Sequence, residues 1–383
     1  MLPAVLFLCH CAPITDRDAD EMRAHELSIA VGPGRTFAAW HGGFGKGSSI
    51  YIQEIDTRGS FKASPIRVSE GNLLAYEPDL VIAGTHPVIA WYEKDPADGR
   101  LSAWLAGLTS EGNRQWVVRL GDRESSSRNP VVRVIGDKLH VAWIEQALRD
   151  NGDNQSSIRH QVFTLSGKAL APAHEIGRAN RDTWNLNATT SGNRFIVAYD
   201  AALSTQAHEL HMLVVSGQDV LHRSLSGNDG YASLYPDLQV NASGRAALTW
   251  FDERDGNQEV YLLAAPLDTF VTGALPPPER ISHSDEASIG AYLSWNGEVI
   301  GLAWSDEEAG QRQIFTRTFE ANGTPLGPVR HFAPVEGSAS VPAIRARGAD
   351  FLLAWNDYVI ASGSVHSDVK ASHARIAMLP VSD

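Results

Sequence analysis

Residues Ala246–Tyr261 read A-A-L-T-W-F-D-E-R-D-G-N-Q-E-V-Y. Ala246–Phe251 is an apolar run that ends in aromatics. Asp252–Asn257 is acidic and carries Gly256, and Glu259–Leu263 is apolar again. Two β-rich runs joined by a short turn with Asp-Gly in it predict a hairpin. The same unit recurs along the chain, so the repeat decides the fold.

Trp250 has six equivalents: Trp40, Trp91, Trp143, Tyr199, Trp304 and Trp355. Successive anchors lie 51, 52, 56, 51, 54 and 51 residues apart. A glycine stands six or seven positions before each: Gly34, Gly84, Gly136, Gly192, Gly244, Gly297 and Gly348. A second glycine follows six of them: Gly59, Gly112, Gly167, Gly217, Gly273 and Gly323. Glycine turns at a fixed phase predict strand, turn, anchor strand, acidic turn, strand, turn, strand. Four strands at a period near 50 residues describe a propeller blade. The expected fold is all-β: a seven-bladed β-propeller of four-stranded antiparallel blades.

The seventh unit offers Phe351–Trp355 and Ala374–Val381 as its second and third strands, and then the sequence stops. The segment Pro13–Asp18 resembles fourth strands elsewhere, such as Arg280–Asp285. Residues near 11–17 are therefore expected to complete blade 7 and close the ring, leaving no open sheet edges between blades. The expected layout is residues 1–12 as a signal-like or lipoprotein-like segment and 13–383 as one propeller domain.

Composition bounds the function. The 383 residues are 43% hydrophobic and 20% charged, ordinary for a globular chain, with a net charge of −13. That sign argues against a nucleic-acid partner and against docking on anionic lipid. No apolar run after residue 8 is long enough for a transmembrane span. Residues 1–11 (MLPAVLFLCHC) form a short apolar run ending in the only two cysteines. The run resembles a secretion signal. It leads to the expectation of an extracytoplasmic protein (periplasmic, outer-membrane-anchored or secreted) with a lipid anchor on Cys9 or Cys11.

Several local motifs have bland readings. The glycine-rich His41–Ser48 leads into a strand, so it is a hairpin turn and not a phosphate loop. The D-N-G-D-N of the Gln146–Ser157 turn lacks the spaced ligands of a calcium loop. His208 and His211, three apart on a strand, point to opposite faces and are not expected to share a metal. No metal and no cofactor are expected. The carboxylates after the anchors (Glu93, Glu145, Asp200, Asp252, Asp306 and Asp357) recur because every blade needs them, each accepting N–H groups in its own turn. Prolines 78, 130, 236 and 342 are read as the starts of inner strands.

Candidate ligand contacts are aromatic and polar residues near the inner strands: Tyr76, Glu77, Asn129, Trp184, Tyr235 and Asp237. Aromatic faces beside carboxylates and amides suit sugar. The long turns of blades 3 and 7, the latter Tyr358–Ser372, are further recognition elements.

The repeat W-x-D-x-R-x-G-x-x-x-V-Y at Trp250–Tyr261 resembles the blades of bacterial exported propellers related to sialidases and propeller lectins. The resemblance covers about residues 13–383. It implies the scaffold, since function lives in grafted sites. A sialidase would also bring S-x-D-x-G-x-T-W boxes, three arginines on a substrate carboxylate and a Tyr–Glu pair. Ser226–Gly230 matches such a box only in part, and Arg128, Arg178, Arg254 and Arg280 are not gathered by the sequence. The expectation is a non-catalytic binding module for a glycan or protein partner. The alternative is a sialidase-like glycoside hydrolase with diverged boxes.

Overall fold

The computed structural model describes residues 23–43, 47–71, 73–147, 156–180, 183, 185–203, 207–308, 310–335, 337–360 and 369–381. They form seven antiparallel sheets arranged as a seven-bladed β-propeller, each built from strands consecutive in sequence. Six sheets have four strands, and the seventh has three among the described residues. The inner strands of blades 1 to 7 are Arg23–Gly32, Leu74–Ala83, Ser125–Ile135, Leu186–Ser191, Ser233–Val240, Ile289–Asn296 and Ser338–Arg347. One short helix, Leu267–Val271, interrupts blade 5.

All seven leading glycines sit at left-handed φ, between 57° and 81°. Five of the six trailing glycines do too; Gly273 follows the blade 5 helix instead. The turns are therefore fixed by residues that adopt φ > 0 without a Cβ clash.

The second strand of each blade is covered on both faces by its neighbours, which is why it reads as a continuous apolar run. Arg245–Asp252, for example, is buried from Ala246 onward. Each anchor joins a core cluster with residues of the preceding blade. Trp91 packs with Phe37 and Ile50, Trp250 with Ile196 and Leu210, and Trp355 with Ala303 and Ile314. The residue before an anchor points the other way, and it is alanine in six blades. Ala39, Ala90, Ala142, Ala198, Ala303 and Ala354 each lie in the cluster of the following blade's anchor. Large meets small around the ring, as dense packing requires.

The ring closes through Trp40, which packs with Ala343, Leu352 and Ile376 of blade 7. Asn356 Nδ2 donates to Ala24 O at 2.9 Å across the same seam. The segment near 11–17 expected to complete blade 7 lies outside the described residues, as do Cys9 and Cys11.

At both ends of the turn expected in blade 7 the described residues are strand: Asp350–Ile360 pairs with Val369–Pro380, with Tyr358 opposite Ser372, while residues 361–368 lie outside the described residues. One expectation changes. The prolines do not start their strands. Pro78, Pro236 and Pro342 sit at register shifts inside the inner strands, between Tyr76 and Asp79, Leu234 and Asp237, and Ser340 and Ala343. A bulge residue is left out of the ladder, so a missing N–H costs nothing there.

Candidate functional site

The bulges build the site. The residue ahead of each bulged proline is left-handed: Glu77, Asn129, Tyr235 and Val341 have φ of 47°, 48°, 54° and 51°. Glu26 and Gly290 adopt the same conformation at 52° and 62° in blades 1 and 6. These residues recur at one phase of the repeat, 14 residues before the anchor (Glu26 to Trp40, Glu77 to Trp91) or 15 for Tyr235. The bulges lie at the ring's centre, where residues at or next to them line one space. There a cavity of about 220 Å³ receives residues from all seven inner strands.

The floor of this channel is a blade-to-blade belt. Ser28 Oγ accepts Leu80 N at 3.1 Å, and Asp79 Oδ2 accepts Val132 N at 2.7 Å. Asn187 Oδ1 accepts Leu238 N at 3.0 Å, and Asp237 Oδ2 accepts Leu293 N at 2.8 Å. Asp237 Oδ1 also accepts Asn187 Nδ2 at 2.6 Å and Gln239 Nε2 at 2.9 Å. Burial pushes the Asp237 carboxyl up, opposed by Arg345 and by these bonds. Arg133 Nη1 donates to Asp79 Oδ2 at 2.7 Å, so this cation is held in the belt.

The mouth is different. Glu77 accepts Tyr92 OH at 3.2 Å on one oxygen and Asn129 Nδ2 on the other. Burial and the nearby Glu26 charge hold its carboxyl well above the usual carboxylate range. Burial is the largest influence on Glu26 and acts upward as well, but the bond to His41, the His41 and His25 charges and the Glu77 backbone N–H together outweigh it and the carboxyl is lowered. His41 Nε2 lies 3.3 Å from Glu26 Oε2, while its Nδ1 is 3.0 Å from Ala75 O. Two adjacent carboxyls are thus pushed in opposite directions, Glu26 down and Glu77 up.

Aromatic rings border the mouth. Tyr76 lies between His41 and Tyr92, with centroids at 5.3 and 5.5 Å. His25 stacks on Tyr358 at 5.4 Å. Tyr235, 42% exposed, stacks on Phe251 at 5.3 Å, and its N–H donates to Asp200 Oδ1 at 3.2 Å.

Of the residues singled out in the sequence, Glu77, Asn129, Tyr235 and Asp237 line the cavity together. Tyr76 stands beside it, and Trp184 lies outside the described residues. Sequence reasoning missed Glu26, Asn185, Asn187, Tyr292, Arg133 and Arg345, which also line it. The constant interval to the anchor would have found Glu26 and Asn185. The four arginines considered for a sialidase are dispersed. Arg254 pairs with Asp252 at 2.7 Å, Arg280 with Glu259 at 2.7 Å, Arg128 donates to Thr183 O at 3.0 Å, and Arg178 is on the outer strand of blade 3.

The carboxylates after the anchors serve the blades. Asp252 Oδ2 accepts Trp250 Nε1 at 2.9 Å, Asp357 Oδ1 accepts Trp355 Nε1 at 2.9 Å, and Glu93 Oε1 accepts Trp91 Nε1 at 3.0 Å. Glu145 and Asp306 do the same at 3.3 and 3.4 Å. Residues two apart on a strand share a face, so the anchor's own indole is the donor common to these five carboxylates, beside serine, arginine and backbone donors that differ from blade to blade. Asp200, one after its anchor, instead binds His208 Nδ1 at 2.7 Å.

No protein-family model matches the sequence, and comparison with curated proteins found no match. Solved structures do match. An ulvan lyase of a polysaccharide lyase family is 12% identical with a TM-score of 0.62, covering 95% of each chain. The phage phi92 endosialidase is 10% identical with a TM-score of 0.56, covering 97% of this chain and 69% of its own. A protein of unknown function from Dyadobacter fermentans is 11% identical with a TM-score of 0.56, covering 94% of this chain and 95% of its own. At such identities the likeness is one of fold: the chain is a seven-bladed β-propeller whose structural neighbours include glycan-active enzymes.

Proposed function

We propose that this protein is a non-catalytic binding module that takes one residue of a glycan into the mouth of its central channel. The observation that carries the reading is the lining of the cavity. A half-exposed tyrosine, amides and carboxyls from separate blades converge on about 220 Å³. Drug-sized ligands fill pockets of roughly 300–1,000 Å³, so this one suits a single ring with the rest of the chain outside. Tyr235 and Tyr76 are the stacking faces, and Glu77, Asn129 and Asp237 the polar contacts, with Trp184 joining them. That structural neighbours include an ulvan lyase and an endosialidase supports a glycan ligand.

No helix among the described residues is long and apolar enough to cross a membrane. The apolar residues 1–12 support export, with residues 13–383 as one domain and Cys9 or Cys11 as a lipid-bearing residue. The experiment is a glycan-array screen of the full chain, read beside a fluorogenic sialoside assay. Glycan binding without turnover is expected. Turnover would overturn the non-catalytic reading, and silence in both assays would overturn the glycan and point to a protein partner.

A further inference from the structure

Channel charges do not balance. Four carboxyls line it (Glu26, Glu77, Asp79 and Asp237) against two guanidinium groups, Arg133 and Arg345. Arg133 is bonded to Asp79, and Arg345 is the main charge opposing the burial of Asp237. Glu26 and Glu77 remain, at equivalent positions of neighbouring blades. Glu26 has His41 beside it. The hydrogen-bond donors to Glu77 are the neutral Tyr92 hydroxyl and Asn129 amide, while Arg128 acts on it through space. No cation is hydrogen-bonded to Glu77 among the described residues, and burial with the Glu26 charge pushes its carboxyl well above the usual carboxylate range.

A second observation points to a ligand. Asn129 is 6% exposed and lines the cavity, and its Oδ1 has no partner among the described residues. An orphaned buried acceptor destabilises the fold unless something satisfies it. The mouth therefore offers acceptors: an amide oxygen, two carboxyls and the ring faces of Tyr235 and Tyr292. An ammonium group is the complement, with three donors, no acceptor and an affinity for aromatic faces. A metal ion is disfavoured, because among the described residues no group of three His, Cys, Asp or Glu side chains is placed to hold one. The net charge of −13 also draws cations.

We infer that the sugar residue taken into the channel mouth carries a protonated amine, held by Glu26, Glu77 and the Oδ1 of Asn129. The inference rests on the glycan reading above and names the ligand class. Binding then exchanges one cation for another: the ammonium enters as R–NH₃⁺, the Glu77 carboxyl becomes carboxylate, and its proton leaves to solvent.

Isothermal titration tests this on the full chain at pH 6. Glucosamine oligomers are compared with their N-acetylated counterparts, in two buffers of different ionisation enthalpy. The amine form should bind about tenfold tighter or better and release about one proton, the one Glu77 gives up. Glu77→Gln keeps the shape and neutrality of the empty state, so it should fold. It should lose the proton release and about tenfold in affinity for the amine. Equal binding of the acetylated oligomer, or binding without proton release, overturns the amine and leaves the glycan reading standing. No binding of either oligomer, with a silent array, overturns both.

Discussion

Trp40 and Trp250 hold the same place in the repeat but differ in one hydrogen bond. The Trp250 indole donates to Asp252, whose side chain is fully buried. Position 42 is glycine, because a Cβ there would stand 1.7 Å from Arg23 O, and Trp40 Nε1 is buried without a partner among the described residues. Both anchors pack tightly, at 4% and 3% exposure. Replacing each by phenylalanine removes similar volume. Only Trp250→Phe also removes a made bond, and it should cost about 1 kcal/mol or more beyond Trp40→Phe. Urea midpoints at equal slope decide this; equal losses would mean that the indole–carboxylate pair adds nothing. The structural role of these carboxylates was legible in the sequence, because they recur in step with the anchors. Their partner was not, since an indole two residues away along a strand is visible only once strand and face are known.

Strands and their bulges set the next scale. The blade order could be read because glycine turns repeat at constant phase. The bulges could not, because their left-handed residues are Glu26, Glu77, Asn129, Tyr235, Gly290 and Val341, a set with no single chemistry in common. Proline marked four of them, but a proline alone does not distinguish a strand start from a bulge. Blade 3 carries a further element-scale feature, a row of histidines across three strands. His140 Nδ1 lies 3.2 Å from His160 Nε2, and His160 contacts His174 at 5.2 Å and stacks on Phe195 of blade 4 at 5.2 Å. Burial lowers His160 from 6.5 to about 3, helped by the charges of His140 and His174; Lys138 acts likewise on His140. A base whose folded pKa is depressed stabilises the fold while neutral. That stability is present above pH 6.5 and drains as pH falls from 6.5 toward 3. His160→Gln should therefore narrow the gap between unfolding midpoints at pH 7 and pH 4.5. An unchanged gap would place the acid sensitivity elsewhere.

The whole molecule depends on closure of the ring. Six blades have a fourth strand; in blade 7 Val369–Pro380 is the outermost described one. We propose that residues 11–17 pair with it, since an open edge there would be the ring's exposed seam. Deleting them should lower the melting temperature of the whole domain, and an unchanged value would remove this closure. The channel mouth exists only when all seven inner strands are in place, so no single stretch of sequence could announce it. Tyr76, Glu77, Asn129, Tyr235 and Asp237 were found by residue type near the inner strands; Glu26 was passed over because its neighbours look like ordinary strand.

The central claim is that a glycan binds in this mouth. The most direct measurement is a titration of the best array glycan against the full chain, Tyr235→Ala and a rim control, Val220→Ser, on the outer strand of blade 4. Loss of about tenfold or more in affinity for Tyr235→Ala, with the control unchanged and both variants folded, is the predicted result. Full affinity in Tyr235→Ala would contradict it and move the binding surface away from the channel.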